Sequence, residues 1–349
     1  MLFDNPQRII PQWIISLRII YKIMIAKEVG IAMKTVGAGL GRSKNHTGLL
    51  KKIKDSDRIQ CYLLIALPLI GFFVFTLYPI LWSAVKSFYY YDLVPSNTRF
   101  VGLKNFITLF TNGEDYWKAW LFTFKYMFIK LPIEIPLALI LAVFLSKNLK
   151  LSGFFRNMYY LPCVISMAII GIIFANIFDP FGIVNAWLLK LNVITEPIDW
   201  FGDTNKALFV LVLGGIWSSF GTNVVYFTAA LSNVPKDLYE AAEIDGAGVF
   251  RKFFSVTVPM ISNVFQTILL LAINGTLRTG EYIIVMTNGA PAGTTLTAEA
   301  YVMKSFLPGF STGTPDLGYG CALSVISSII CAGIGLLYLR ASRKMTELY

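Results

Sequence analysis

Charge is what this sequence most lacks. Asp, Glu, Lys and Arg make up only 14% of its 349 residues, where a water-soluble domain carries about a quarter. In their place stand long uncharged apolar stretches, which make 56% of the chain hydrophobic and lift its mean hydropathy to +0.63. A bilayer needs such stretches; an aqueous core does not. Histidine is nearly missing too, since His46 is the only one and lies in a Gly-, Ser- and Lys-rich segment. With no Cys/His cluster there is no basis for a zinc site or a Ser-His-Asp triad. Cys61, Cys163, Cys321 and Cys331 form no CxxC pair and sit in or beside apolar runs, where cysteine is a small packing residue. Also absent is a Gly-x-x-x-x-Gly-Lys-Ser/Thr run, and the segment from Gly37 to Ser43 falls short of it. The chain is therefore read as a non-enzyme with no nucleotide or metal cofactor of its own. The net charge of +10 comes from 30 Lys and Arg against 20 Asp and Glu. These basic residues form no aromatic-interleaved stripe, which argues against nucleic acid. Anionic lipid heads and cytoplasmic loops account for them instead.

What is present reads as an all-α, polytopic membrane protein. Six stretches are long and apolar enough to cross about 30 Å of hydrocarbon at about 1.5 Å per residue. They are placed near 60–85, 120–146, 159–178, 207–231, 259–281 and 317–339. Aromatic clusters such as Phe88-Tyr89-Tyr90-Tyr91 and Tyr159-Tyr160 mark interfacial belts. With a cytoplasmic N-terminus, 20 of the basic residues fall on the inner segments and 7 on the outer loops. The rule that Lys and Arg stay inside then puts both termini in the cytoplasm.

Residues 1–58 stand apart. Residues 9–29 are Ile-rich with Arg18, Lys22 and Lys27 at near-helical spacing, which suits an amphipathic helix on the cytoplasmic leaflet. The alternative is an extension with a true start at Met33. Residues 34–58 read as a flexible basic linker. Beyond it, 59–119 comprise the first span and an extracytoplasmic loop, and 120–349 the core. Lys130 and Glu134 lie inside the second predicted span, four residues apart on one helix face, where they can pair within the bundle or, as the alternative, stand on a substrate path.

Between the fourth and fifth spans lies Ser232-Asn233-Val234-Pro235-Lys236-Asp237-Leu238-Tyr239-Glu240-Ala241-Ala242-Glu243-Ile244-Asp245-Gly246-Ala247-Gly248. Ser232 or Asn233 is placed as the cap of a helix whose first turn holds Pro235 and Asp237. Gly246 is placed as its left-handed terminator. Val249 to Phe254 follow, and Pro259 opens the next span. Small residues at Ala241, Ala242 and Ala247 leave a face able to enter a groove on another protein. Glu240, Glu243 and Asp245 supply charge. A cytoplasmic helix hairpin of this kind is a docking device.

At these residues the sequence resembles the permeases of ABC importers, in the carbohydrate-uptake branch typified by maltose and glycerol-phosphate permeases. The signature of Glu-Ala-Ala, a following Gly and a distant Leu-Pro reads here Glu240-Ala241-Ala242, Gly246 and Val258-Pro259, with Val in place of Leu. An ordered series of further matches runs from about 64 to 344. It includes Tyr78-Pro79-Ile80, Phe100-Val101-Gly102-Leu103-Lys104-Asn105-Phe106 and Gly153-Phe154-Phe155-Arg156 leading to Leu161-Pro162. Asp179-Pro180 with Gly182 and Asn185, Met286 to Pro291, and Gly318 to Ser324 complete it.

The resemblance implies the six-helix core of the type I importer permease fold, in the bacterial inner membrane. It implies a coupling helix near 233–250, with Tyr239, Glu240, Ala241, Ala242, Asp245, Gly246 and Phe250 contacting a cytoplasmic ATPase dimer that binds the ATP and Mg. A homologous second permease and an extracellular or periplasmic solute-binding protein are the other implied partners. Alternating access would follow from ATP-driven movement of the docked helices.

A sugar path needs hydroxyls and amides around a cavity. The fourth span offers Trp217, Ser218, Ser219, Thr222 and Asn223; the fifth offers Asn274, Gly275, Thr276, Arg278, Thr279 and Glu281. Interhelical hydrogen bonding is the competing use of such residues. Counting along the maltose-type permease, its sugar contacts fall here on Ser218, Ser219, Thr222, Gly275, Thr276 and Thr279, with Cys163 and Met167 from the third span. The residue types differ from the maltose pattern, which leaves the sugar open, and Arg278 with Glu281 hints at a charged or uronic one. The rival readings are an ion-coupled sugar carrier, for which Glu134 offers a thin basis, and an ABC permease for a non-sugar solute.

Overall fold

Uncharged runs in hydrocarbon satisfy their backbone only as helix or closed barrel, and the computed structural model takes the helical solution. It describes residues 57–92, 94–146, 152–306 and 316–346. The chain divides into two compact units, Met1–Tyr78 and Pro79–Tyr349. In the first, residues 57–78 are described and all are helical. The amphipathic helix and linker expected up to residue 56, and the basic loop residues 147–151, lie outside the described residues.

Among the described residues, five helices are long and apolar enough to cross a membrane. In chain order the elements are α1 (Leu64–Lys86), α2 (Lys104–Asn112), α3 (Glu114–Leu145), α4 (Ser152–Val164), α5 (Met167–Ile177) and α6 (Ile183–Lys190). After them come α7 (Thr204–Ser232), α8 (Lys236–Ile244), α9 (Val249–Leu277), α10 (Glu281–Thr287), α11 (Ala298–Phe306) and α12 (Leu317–Thr346). The long spans are α1, α3, α7, α9 and α12. Outside them, strands β1 (Tyr89–Tyr90) and β2 (Arg99–Phe100) form a short antiparallel ribbon with Tyr89 opposite Phe100. Asn105, from the Val-Gly-Leu-x-Asn-Phe run, fastens this ribbon by donating to the Ser87 and Tyr89 carbonyls at 2.9 and 3.0 Å.

Two spans depart from the sequence reading. The third, expected as one crossing over 159–178, is a broken pair in which Asn157–Val164 and Met167–Ile177 meet at 104°. Pro162 weakens the last turn of α4 by supplying no N–H. Ser166 then leaves the helical region, with φ −57° and ψ 140°, before α5 begins. The fifth span starts at Val249 and not at Pro259. Pro259 does not open it, because the π turn Phe253–Thr257 just before it widens the helix where the proline ring would press on the carbonyl four residues back. The same combination occurs in α1, where the π turn Phe73–Leu77 precedes Pro79.

The second unit is organised around α7, which packs against α3, α4, α5, α9 and α10. Gly221 permits this approach on one side: a Cβ there would collide with the Tyr159 carbonyl oxygen of α4. Two apolar clusters fill the interior. One gathers Leu208, Leu211 and Val212 of α7 with Phe122, Phe174 and Ile283. The other gathers Val224, Phe227 and Leu231 of α7 with Leu131, Ile135, Ile261 and Ile268. The segment of α7 between them carries Ser218, Ser219, Thr222 and Asn223, so a polar belt separates the two clusters.

Candidate functional site: a polar cavity between three helices and an exposed hairpin

Helical spacing builds the belt. On α3, Tyr126, Lys130 and Glu134 recur every four residues and share a face. Ser218, Ser219, Thr222, Asn223 and Tyr226 do the same on α7, and Leu271, Ala272, Gly275, Thr276 and Thr279 on α9. The three faces converge on a cavity of about 320 Å³, completed by Cys163, Met167 and Tyr282. This volume lies at the low end for small-molecule pockets, which run about 300–1,000 Å³.

A hydrogen-bond network fixes the floor. Lys130 Nζ donates to Glu134 Oε2 at 2.5 Å, and Glu134 Oε1 accepts from Ser219 Oγ at 2.6 Å and Asn223 Nδ2 at 2.7 Å. Lys130 also reaches Ser219 Oγ at 3.1 Å and Thr276 Oγ1 at 3.4 Å. Next to this pair, Tyr282 Oη donates to the Leu211 carbonyl at 2.8 Å and therefore accepts from Tyr126 Oη at 2.6 Å. Gly215 makes room for all of it. A Cβ there would collide with Tyr126 Oη and come within 3.1 Å of Lys130 Cε.

All eight residues expected on a solute path line this one cavity: Cys163, Met167, Ser218, Ser219, Thr222, Gly275, Thr276 and Thr279. Several neighbours weighed with them in the sequence face elsewhere. Trp217 packs on Phe174, 5.7 Å between ring centres. Asn274 and Arg278 open onto a different cavity of about 670 Å³, with Glu299 and Ser324, Ser327 and Ser328 of α12. Glu281 is exposed in the first turn of α10. Sequence reasoning noted the Lys130–Glu134 pair but did not place it with the eight, and it missed Tyr126, Tyr226 and Tyr282. Spacing of four from Tyr126 to Lys130 to Glu134 was a usable signal. For Tyr282, beyond the break after α9, there was none.

The hairpin lies at the other end of α7 and α9. Its helix is α8, of 9 residues, with Asp237 in the first turn. The expected cap is not there: Ser232 and Asn233 finish α7, their side chains donating back to the Thr228 and Ala229 carbonyls at 2.8 and 3.1 Å. Pro235 occupies the cap position without a side-chain bond. Both are side chains bonding back to a carbonyl four residues earlier, a common alternative to capping for Ser and Asn. The terminator is as expected, since Gly246 adopts φ +73°. Of the seven residues proposed for docking, Glu240, Ala241, Asp245, Gly246 and Phe250 are exposed and Ala242 is half-buried. Tyr239 turns inward, its hydroxyl 3.0 Å from Thr257 Oγ1 of α9. It ties the hairpin to the span. Beyond it, Ile244, Val249 and Phe250 present apolar side chains 87%, 74% and 82% exposed.

Comparison with known proteins decides the family. The profile described as "Binding-protein-dependent transport system inner membrane component" matches residues 134–347. The chain belongs to this family. It is a multi-pass membrane protein and a permease subunit of a binding-protein-dependent ABC importer, not an enzyme. The match takes in Glu134, the hairpin and the lining contributed by α4, α7 and α9, while Lys130 and Tyr126 lie just before it. Among similar proteins, the arabinooligosaccharides transport system permease AraP of Bacillus subtilis is 35% identical over 291 residues, covering 82% of this chain and 90% of AraP. The lactose transport system permease LacF of Rhizobium radiobacter is 34% identical over 277 residues, covering 78% of this chain and 90% of LacF. The fold is that of a chain in the crystal structure of a bacterial ABC transporter involved in the import of the acidic polysaccharide alginate. That match has a TM-score of 0.71 at 22% identity, over 85% of this chain and 99% of the other.

Proposed function

We propose that this permease carries a sugar or oligosaccharide into the cytoplasm by alternating access, and that the cavity between α3, α7 and α9 lies on its path. The convergence of hydroxyl, amide and tyrosine side chains from three spans on one cavity carries the reading. A polyhydroxylated solute exchanges bonds with water for bonds with such groups at little cost. Relatives named for arabinooligosaccharides, lactose and trehalose/maltose support the same solute class.

The hairpin then faces the cytoplasm, with both chain termini, as the distribution of Lys and Arg favours. There the exposed Glu240, Asp245, Gly246 and Phe250 dock into a separate ATPase dimer, which binds ATP and Mg. Tyr239 holds the hairpin to α9, so that movement of the ATPase reaches the spans as a rigid push. A homologous second permease closes the other side of the path, and a sugar-loaded binding protein delivers to the outer loops. An ion-coupled carrier needs a carboxylate free to exchange protons or Na⁺; Glu134 is already paired and triply hydrogen-bonded.

The test is uptake of labelled arabinotriose, lactose and trehalose into proteoliposomes holding the complete importer. ATP-dependent accumulation of at least one, lost when the ATPase or binding protein is omitted, is the expected result. Accumulation driven by an ion gradient without the ATPase would overturn the proposal.

A further inference from the structure

Two charged side chains line the cavity, near the middle of α3, and the eight path residues include neither. Lys130 and Glu134 pair at 2.5 Å with side chains 6% and 0% exposed. Such a pair is expensive inside a membrane, and apolar side chains of similar size would pack as well. A pair this costly, standing on the wall of a cavity, invites a use beyond packing.

The two partners are unequally satisfied. Three donors meet the Glu134 carboxylate, from Lys130, Ser219 and Asn223, at 2.5–2.7 Å. The ammonium group has three N–H donors. One is spent on Glu134 and one on Ser219, while the third has only the long 3.4 Å approach to Thr276 Oγ1, beyond the usual 2.7–3.2 Å range. Lys130, Ser219 and Thr276 all line the cavity. An oxygen arriving there offers the third N–H a better acceptor than Thr276 does. Among the described residues no other charged side chain lines this cavity, and Arg278 opens onto the larger one.

We propose that Lys130 is a sugar-contacting donor, that Glu134 positions it, and that their mutual neutralisation makes the cavity select uncharged glycosides over uronates. This rests on the sugar path proposed above. Glu134 holds the ammonium against α7 and α9 and cancels its charge, so the site offers a directed N–H without the field that would capture a carboxylate. Removing Glu134's charge alone turns the same site into one that welcomes an acid.

The experiment measures binding to the assembled importer in nanodiscs without its binding protein, so that only the membrane part selects. Saturation-transfer NMR with arabinotriose and lactose as neutral probes, and lactobionate and trigalacturonate as acidic ones, gives the affinities. The wild type is expected to bind a neutral probe at least about tenfold more tightly than either acid, a difference of about 1.4 kcal/mol. Glu134→Gln is expected to shift that ratio toward the acids by about tenfold or more. The uncharged double variant Lys130→Gln/Glu134→Gln carries no buried unpaired charge. It is expected to keep the neutral preference while losing about tenfold in affinity for the neutral probe.

A wild-type preference for the acids overturns the proposal. So does a double variant that binds the neutral probe as the wild type does, or an equal weakening of all probes in Glu134→Gln. In each of these cases a sugar still binds and the path survives. If no probe binds the wild type, the sugar path itself falls and takes this assignment with it.

Discussion

The hairpin and the cavity are opposite kinds of site on the same two helices. The hairpin is one contiguous stretch of chain and carries its meaning in exposed side chains: Glu240, Ile244, Asp245 and Phe250. The cavity is assembled from α3, α4, α5, α7, α9 and α10, and its meaning lies in side chains that touch one another: Lys130, Glu134, Ser219, Asn223 and Thr276. A surface that meets a partner is free to change without unfolding its own chain. A buried polar belt is tied to the stability of the bundle around it. Substitutions in the two regions should therefore separate coupling from integrity.

The largest stability effect is expected from Glu134→Leu, which strands the Lys130 ammonium. Breaking one partner of a buried pair costs about 3–5 kcal/mol, seen as a fall in the thermal midpoint of the purified complex. Replacing both, Lys130→Met with Glu134→Leu, should recover most of that loss, because an apolar pair restores the packing. Equal midpoints for the single and double variants would contradict the pair's mutual dependence.

Next comes coupling. Glu240→Lys should leave insertion and assembly intact while cutting ATP-driven uptake by about tenfold or more, a transition-state loss of about 1.4 kcal/mol. Gly246→Val works through the backbone, since its φ of +73° costs a branched residue about 1–2 kcal/mol. It too should uncouple hydrolysis from uptake, and wild-type transport in both variants would remove the hairpin from the coupling route. Thr276→Leu and Ser219→Leu should alter the order of preference among neutral sugars by an amount near that of one lost hydrogen bond, about 1 kcal/mol. Competition uptake reads this directly.

The smallest effects distinguish the hairpin's inner face from its outer one. Tyr239→Phe removes the bond to Thr257 and should cost about 1 kcal/mol, with a slower coupled rate. Glu243→Ala opens the ion pair to Lys252 at 2.6 Å, whose carboxylate side chain is 63% exposed. It should change stability by less than about 0.5 kcal/mol.

The hairpin was readable in the sequence because helix, terminator and charge are neighbours along the chain. Even there one detail escaped: Ser232 and Asn233 serve the end of α7 and do not start α8. A capping residue between two helices has two sets of free backbone groups to choose from, and sequence does not rank them. The cavity was readable in its parts. Residues four apart on α7 and α9 were placed together, whereas Trp217, Asn274 and Arg278, a residue or two away, turned out to face other surroundings.

By itself the sequence determined that this chain lives in a membrane, about where four of its five long helices lie, and which contiguous segment forms the hairpin. These follow from local quantities: hydropathy over a bilayer's thickness, the 3.6-residue repeat, and the conformations open to proline and glycine. Only the tertiary structure decided that the third span bends by 104° and that Lys130 and Glu134 share a cavity with Ser219, Asn223 and Thr276. Each helix can rotate about its axis without altering its own backbone bonds. Which of its faces meets which is therefore settled by packing between helices, as where the small Gly215 and Gly221 admit Tyr126 and the backbone of Tyr159.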